Sequence, residues 1–315
     1  MRVATNAYTD SMLSQFNNLA SKQYTLQNQV STGLQVQAPS DDPTKMQDTL
    51  NYLAANSRQQ QYSANITTLQ SRATSINSVL QSLQTVSSRA GEIATAAGSA
   101  TNSQTDLTNY ADEVNTLIQQ VVTAANTKDP STGLYMFGGT ASSQPPYTTT
   151  TDANGNVTAV TYNGNSSVNQ SEIGANLNAS VDIPGANTGS SGARGLITDN
   201  QSGADFLNHL ISLRTDLTAG NTTAITTTDS TNLQKDENNI AYQVANNGVQ
   251  QNKLTAAANF ATSSTQSLNQ MISNASSADL INTMVQLNQA QTAYQAALQS
   301  SSKIMNLSML NYMPA

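Results

Sequence analysis

Two apolar stripes at four- and three-residue spacing, one near each end of the chain, constrain this sequence more than any other feature. Near the start, Met12, Phe16, Leu19, Leu26 and Val30 fall on one heptad stripe whose polar intruder is Gln23. Near the end, Leu280, Met284, Leu287, Tyr294, Leu298 and Met305 mark a second. Both predict helices, and a narrow stripe needs a partner helix to cover it.

Between them the same period recurs. Residues 44–97 carry Ile66, Leu69, Ala73, Ile76, Leu80, Leu83, Ser87 and Ala90, which predicts one long helix. After a break at Gly98–Asp106, Leu107, Tyr110, Val114, Leu117, Val121 and Ala124 repeat the spacing, and the two helices are expected to pair antiparallel. Leu233, Ile240, Val244, Leu254, Ala258, Ala261, Leu268 and Ile272 hold a further register. The first helix is expected to stop at Gly33. In the loop that follows, Pro39 and Pro43 oppose helix continuation, and Asp41 or Asp42 caps the next helix with Pro43 in its first turn.

From Gly138 to about Asn221 the helical period disappears, and short Thr, Val and Tyr runs alternate with Gly, Asn and Pro. Thr148–Thr151 and Val157–Tyr162 flank an Asn-Gly pair, which predicts a hairpin with a type I′ turn. A short helix is expected around 204–217, either in this module or in its return linker. The predicted fold is therefore mainly α: a long antiparallel, coiled-coil-like bundle built from residues 1–138 and 222–315, with a β-rich domain inserted at 139–221. Residues 1–32 and 280–315 would be its outermost assembly helices.

Composition excludes several classes of function. The net charge is -7 with only 12 Lys plus Arg, too few to neutralise a run of phosphates, so no nucleic-acid partner is expected. The chain has no Cys, which removes disulfides, thiolate metal sites and thiol nucleophiles. No apolar run is long enough to span a bilayer, and the first twenty residues lack the apolar core of a cleaved signal, so neither membrane insertion nor signal-peptide export is expected. Charged residues make up only 10%, leaving a neutral polar surface suited to packing against other copies.

No constellation points to catalysis, a cofactor or a metal. His209 is the one histidine and has no nucleophile elbow to serve, so a structural or surface role is expected. Asp41 and Asp42, adjacent between prolines, read as caps rather than as an acid/base pair. Asp152, Asn154 and Asn156 begin like a calcium loop, but Val157 stands where Gly is needed and Asn163 where Glu is needed.

Several segments together resemble the flagellin superfamily. Ser31-Thr32-Gly33-Leu34 followed by Pro39-Ser40-Asp41-Asp42-Pro43 is similar to the loop joining that family's first two helices, and Asn65 with Val79–Ala97 resembles its second helix. Gly248 to Leu254 resembles its Gly…Gln-Asn-Arg-Leu stretch, with Lys253 in place of Arg, and Ala290–Met313 resembles its last helix. Pro39–Pro43, Tyr135–Gly139 and Ser308–Met313 look more like the hook–filament junction branch than like flagellin itself. The resemblance covers both terminal thirds and is silent on residues 140–225.

It implies a subunit exported unfolded through the flagellar type III apparatus, with an export chaperone, and assembled outside the cell as a ring. Its partners would be copies of itself, the neighbouring hook-associated junction protein and flagellin. Two other readings remain open at this stage: flagellin itself, and a secreted coiled-coil adhesin or enzyme with a β module, which would require a ligand pocket in residues 140–225.

Ordering a helix costs about 1–2 kcal/mol of backbone entropy per residue, while a buried Leu, Met or Phe returns about 1.5–3 kcal/mol. The first helix has too few stripe residues to stand alone. Residues 1–32 and 280–315 are therefore expected to order only where several subunits share their apolar faces.

Overall fold

The computed structural model describes residues 2–99 and 101–310, with side chains described for 10–99 and 101–303. Three helices open the chain: α1 (Arg2–Thr32), α2 (Pro43–Ala97) and α3 (Gln104–Ala125). Seven short strands follow: β1 (Tyr147–Thr151), β2 (Val157–Tyr162), β3 (Ser171–Gly174), β4 (Leu177–Ala179), β5 (Ala186–Asn187), β6 (Thr198–Asp199) and β7 (Ala204–Asp205). The chain then returns to helix in α4 (Phe206–Ala219). A three-residue α5 (Thr222–Ala224), a π turn (Ile225–Asp229) and α6 (Ser230–Ser276) run on without a break, and α7 (Leu280–Leu310) ends the described chain.

These elements form two compact units, Met1–Gln59 with Ser263–Ala315 and Gln60–Thr262; α2 and α6 contribute to both.

The second unit holds a continuous apolar core whose members run from Ile66 on α2 to Ala261 on α6. The predicted stripes line it: Ile66, Leu69, Ala73, Ile76, Leu80, Leu83 and Ala90 of α2, and Leu107, Val114, Leu117 and Val121 of α3, are all buried. α3 starts on a capping box between Ser103 and Asp106. α2 and α3 pair antiparallel: Arg89 reaches Glu113 through Nε and Oε1 at 2.6 Å and through Nη2 and Oε2 at 3.1 Å, while Arg72, earlier on α2, reaches Asp129 just past the end of α3. That ion pair is exposed and contributes little; the apolar seam beneath it carries the pairing.

α4 packs along α3 and buries Phe206, Leu207, Leu210, Leu213 and Leu217. The short helix predicted around 204–217 is thus part of the helical core, although it follows the last strand directly.

Strands β1 and β2 pair antiparallel, as do β3 and β4, while β5, β6 and β7 form a small mixed sheet. The turn between β1 and β2 differs from the predicted type I′. Of its residues only Gly155 takes a positive φ, at 83°, whereas type I′ requires two. Asp152 sets the turn instead: its Oδ1 accepts from the amides of Asn154 and Asn156, both at 2.8 Å, and a bulge at Thr150/Thr151 absorbs the extra length. The same bonds occupy the carboxylate that had hinted at a calcium loop. They also hold its pKa below the ordinary value, led by the Asn156 side chain and amide.

Candidate assembly surfaces

The first unit is built on an antiparallel contact between α1 and α7. On α1 the half-buried and buried positions are Met12, Phe16, Leu19, Gln23, Leu26 and Val30, the predicted stripe with its glutamine, joined near the helix end by Asn28 and Gln29. On α7 they are Thr283, Leu287, Ala290, Tyr294, Ala297 and Ser301, again at four- and three-residue spacing. Phe16 meets the Tyr294 ring edge-on with centroids 5.8 Å apart, and Ser301 Oγ lies 3.7 Å from Met12 Sδ.

The α7 seam therefore runs to one side of the stripe expected from sequence. Leu287 and Tyr294 lie in it, but Leu280, Met284 and Leu298 stay 45%, 51% and 47% exposed, with Ile281 and Val285 beside them also exposed. The side chain of Met305 lies outside the described residues. Small and hydroxyl side chains at Thr283, Ala290, Ala297 and Ser301 let α1 approach closely, so the larger apolar groups are left on the flank. This apolar face of α7 has no covering segment among the described residues.

The loop after α1 shows what its two aspartates do. Gly33 takes φ 71° and turns the chain out of α1. An isolated bridge then joins Leu34 to Ser277, with Gln35 N donating to Ser276 O at 2.7 Å and Ala278 N to Gly33 O at 2.9 Å. Ala38 to Asp41 makes a turn with Pro39 at its second position, closed by Asp41 N to Ala38 O at 2.9 Å. Asp41 Oδ2 accepts from the Ala38 and Gln37 amides at 2.9 and 3.0 Å, which lowers its pKa. Asp42 Oδ1 accepts from the Thr44 and Lys45 amides, capping α2, with Pro43 as its first residue. Each carboxylate is spent on backbone amides.

The second unit contains a polar framework that the apolar periodicity does not mark. Arg72 on α2 holds Asp129 at 2.9 Å and Asp182 at 2.6 Å, and all three side chains are largely buried. Burial alone would raise Asp129; the Ser131 hydroxyl and amide and the Arg72 guanidinium outweigh it and hold the carboxyl below its ordinary value. Arg72 thereby joins the helix to the exit from α3 and to the strand-bearing segment. At that exit Met136 and Phe137 are buried, and Phe137 O accepts from Gly185 N at 2.7 Å and from the Tyr162 hydroxyl at 3.0 Å.

On α6, buried Asn239 donates to Gly195 O and Leu196 O, Gln243 to Arg194 O, and Asn247 to Ala73 O. These side chains place amide donors on core carbonyls and so tie α6 to the 194–196 segment and to α2. His209 Nδ1 lies 2.7 Å from Asp236 Oδ2, and Asp236 also accepts from Asp205 N, so the histidine ties α4 to α6. Burial raises the Asp236 pKa despite that bond. Lone polar residues separated by tens to hundreds of positions carry no local signal, which is why sequence reasoning passed over Arg72, Asp236, Asn239, Gln243 and Asn247.

Residues 3–141, which span α1 to α3 and the Tyr135–Gly139 exit, match the bacterial flagellin N-terminal helical region. The chain carries a flagellin N-terminal region. Its fold is similar to that of a Vibrio parahaemolyticus chain assigned as a flagellar hook-associated protein, at 18% identity and TM-score 0.64, covering 75% of this chain and 100% of that one. It is also similar to flagellar hook associated protein-3 of Legionella pneumophila (15% identity, TM-score 0.58, 71% and 97% covered) and to FlgL of Xanthomonas campestris (17%, 0.56, 71% and 99%). At these identities the likeness is one of fold. No curated protein matches the sequence.

Proposed function

We propose that this chain is a structural subunit of the bacterial flagellum, acting at the hook–filament junction. The observation that carries the reading is the flagellin N-terminal region over residues 3–141, set in a fold that covers 97–100% of the solved hook-associated chains. A flagellar subunit of this kind assembles with other flagellar components outside the cell. The finer parts of the proposal are a ring of copies seated between the neighbouring hook-associated protein and the first flagellin subunits, delivery through the type III export apparatus, and help from an export chaperone.

Within the chain, the proposal gives the assembly role to α1 and α7. Met12, Phe16, Leu19, Leu26 and Val30 would form one shared apolar row. Leu287 and Tyr294 belong to their packed seam, while Leu280, Met284, Leu298 and Met305 would serve neighbouring subunits. Pro39, Asp41, Asp42 and Pro43 fix the connection from α1 to α2. The 139–221 segment is proposed as an insertion between helical parts of the chain. The surface is uncharged over long stretches, so subunit contacts would depend on apolar and neutral polar groups and only weakly on salt.

Deleting the gene tests the reading. Cells are expected to complete their hooks and release unpolymerised flagellin into the medium, and plasmid-borne protein should restore attached filaments. Filaments of normal length and attachment in the deletion strain would contradict the junction role. Open-ended filaments formed by the purified chain alone would point to flagellin instead.

A further inference from the structure

The helix entering the last third of the chain has a defect at one place. Between α5 and α6 the backbone widens into a π turn at Ile225–Asp229, carrying one residue more than an α-helical turn would. The last residue of that turn, Asp229, is fully buried. Among the described residues neither of its carboxyl oxygens has a hydrogen-bond partner of good geometry. The groups nearest to acting on it are on α4: the Ser212 hydroxyl, and the carboxyl of Asp216, which repels a second negative charge. A buried carboxylate without donors is costly, and two facing carboxylates cannot both ionise cheaply.

We propose that Asp229 is held as a neutral carboxylic acid in the seam between α4 and the π turn, and that loss of its proton loosens the seam. The π turn supplies the hinge, because relaxing it to α geometry would shift the residues before it by one position along the helix.

The surroundings offer little to balance a charge there. From α4, His209, Ser212 and Asp216 face the group, and His209 is already paired to Asp236 of α6 at 2.7 Å. Asp216 itself accepts from Asn221 Nδ2 at 3.1 Å. Arg214 of α4 is directed to Asn115 Oδ1 and Val157 O, and Lys235 of α6 bonds Asn232. The end of α2, which approaches the π turn at Gly98 and Thr226, carries no charged residue from Ile93 to Asn102, and α5 carries none either. Burial first, and the Asp216 charge second, push the Asp229 pKa up to about 6.

The sign follows from linkage. A carboxyl whose pKa is higher in the folded than in the unfolded chain costs nothing below its ordinary value and removes stability as pH rises through the interval to the folded value. Stability lost this way should be complete by about pH 7.

The test is the unfolding free energy of the full chain from pH 4.5 to 8, for the parent, Asp229→Asn and Asp216→Asn. The carboxamide keeps the size of the side chain and cannot ionise. Asp229→Asn should remove most of the falling limb, leaving only the part due to the raised Asp236, and leave a folded-to-unfolded ratio about 100-fold higher than the parent at pH 8, from a shift of roughly two pH units. Asp216→Asn should move the limb to lower pH without removing it, since burial remains. Protection of amides 222–232, corrected for intrinsic exchange, should fall with pH in the parent and stay constant in Asp229→Asn. At about pH 5.5, where ordinary carboxyls are ionised, the protonated carboxyl band seen by infrared should be stronger in the parent than in Asp229→Asn. An Asp229→Asn variant with the parent's limb, one destabilised equally at every pH, or a parent band no stronger than the variant's would overturn the proposal.

Discussion

The two units are written in the same heptad spacing and differ in what fills it. In Gln60–Thr262 the seam positions of α2, α3 and α4 are mostly Ile, Leu, Val and Phe, interspersed with Ala, and they close into one apolar core with the strand-bearing segment. In Met1–Gln59 with Ser263–Ala315 the described buried apolar residues are Leu26, Val36 and Ala290, and the α7 seam is built largely of Thr, Ala and Ser. Its larger apolar groups, Leu280, Ile281, Met284, Val285 and Leu298, face outward. Heptad spacing therefore says where a helix can be covered, while residue size at the seam decides whether its own chain covers it. The second unit is stabilised internally; the first carries apolar area in excess of what its own helices bury.

The largest effect that would break this comparison is removal of residues 139–221. From sequence, that excision is expected to spare the helices. The packing predicts otherwise, because it would strip Phe206, Leu207, Leu210, Leu213 and Leu217 from α3 and delete Ile173, Val181, Ile183, Leu196 and Ile197 from the same core. Each fully lost Leu or Phe contact is worth about 2–5 kcal/mol, so their sum exceeds the stability of an ordinary domain. Circular dichroism during thermal unfolding should show no cooperative transition. A sharp transition at the parent temperature would mean that the helices fold without the segment.

Next in size is Arg72→Ala. It leaves the Asp129 and Asp182 carboxylates buried without their cation, which should cost about 3–5 kcal/mol near neutral pH. Because Asp129 is held below its ordinary pKa, the stability it contributes is present above the unfolded value and is lost as pH falls through the folded one. The deficit of the variant should therefore shrink in acid. Denaturant titrations at pH 7 and pH 3 check both statements, and an equal deficit at both would remove the ion-pair explanation.

The smallest expected effect on the free chain is that of Leu298→Asp. The side chain is 47% exposed on α7, so the unfolding free energy should change by less than about 0.5 kcal/mol. In an assembled junction the same charge would be buried without a partner, and assembly should fail. Loss of motility with an unchanged monomer would sharpen the contrast between the units; normal assembly would remove Leu298 from the shared surface.

Much of this architecture is legible in the sequence because it rests on local period. The end of α1 at Gly33, the cap at Asp42 and the α1 stripe from Met12 to Val30 depend on residues within one or two turns of each other. The α7 seam was harder to read, since Thr283, Ala290, Ala297 and Ser301 carry too little hydrophobicity to outweigh Leu280, Met284 and Leu298. The β1–β2 turn looked like type I′ because Asn-Gly is its usual signature, but the Asp152 side chain replaced the backbone geometry that Asn154 would have had to supply. Arg72, His209 with Asp236, and the amides of Asn239, Gln243 and Asn247 depend on partners brought together by the fold alone. No periodicity marks them.

Amide hydrogen exchange on the full chain, free and then assembled, tests the difference between the units most directly. In the free chain, residues 66–94 of α2 should be protected to the level of global unfolding, while 10–32 of α1 and 280–303 of α7 should exchange orders of magnitude faster. After assembly the protection of α1 and α7 should rise toward that of α2. Equal protection of all three segments in the free chain, with no further change on assembly, would contradict the account.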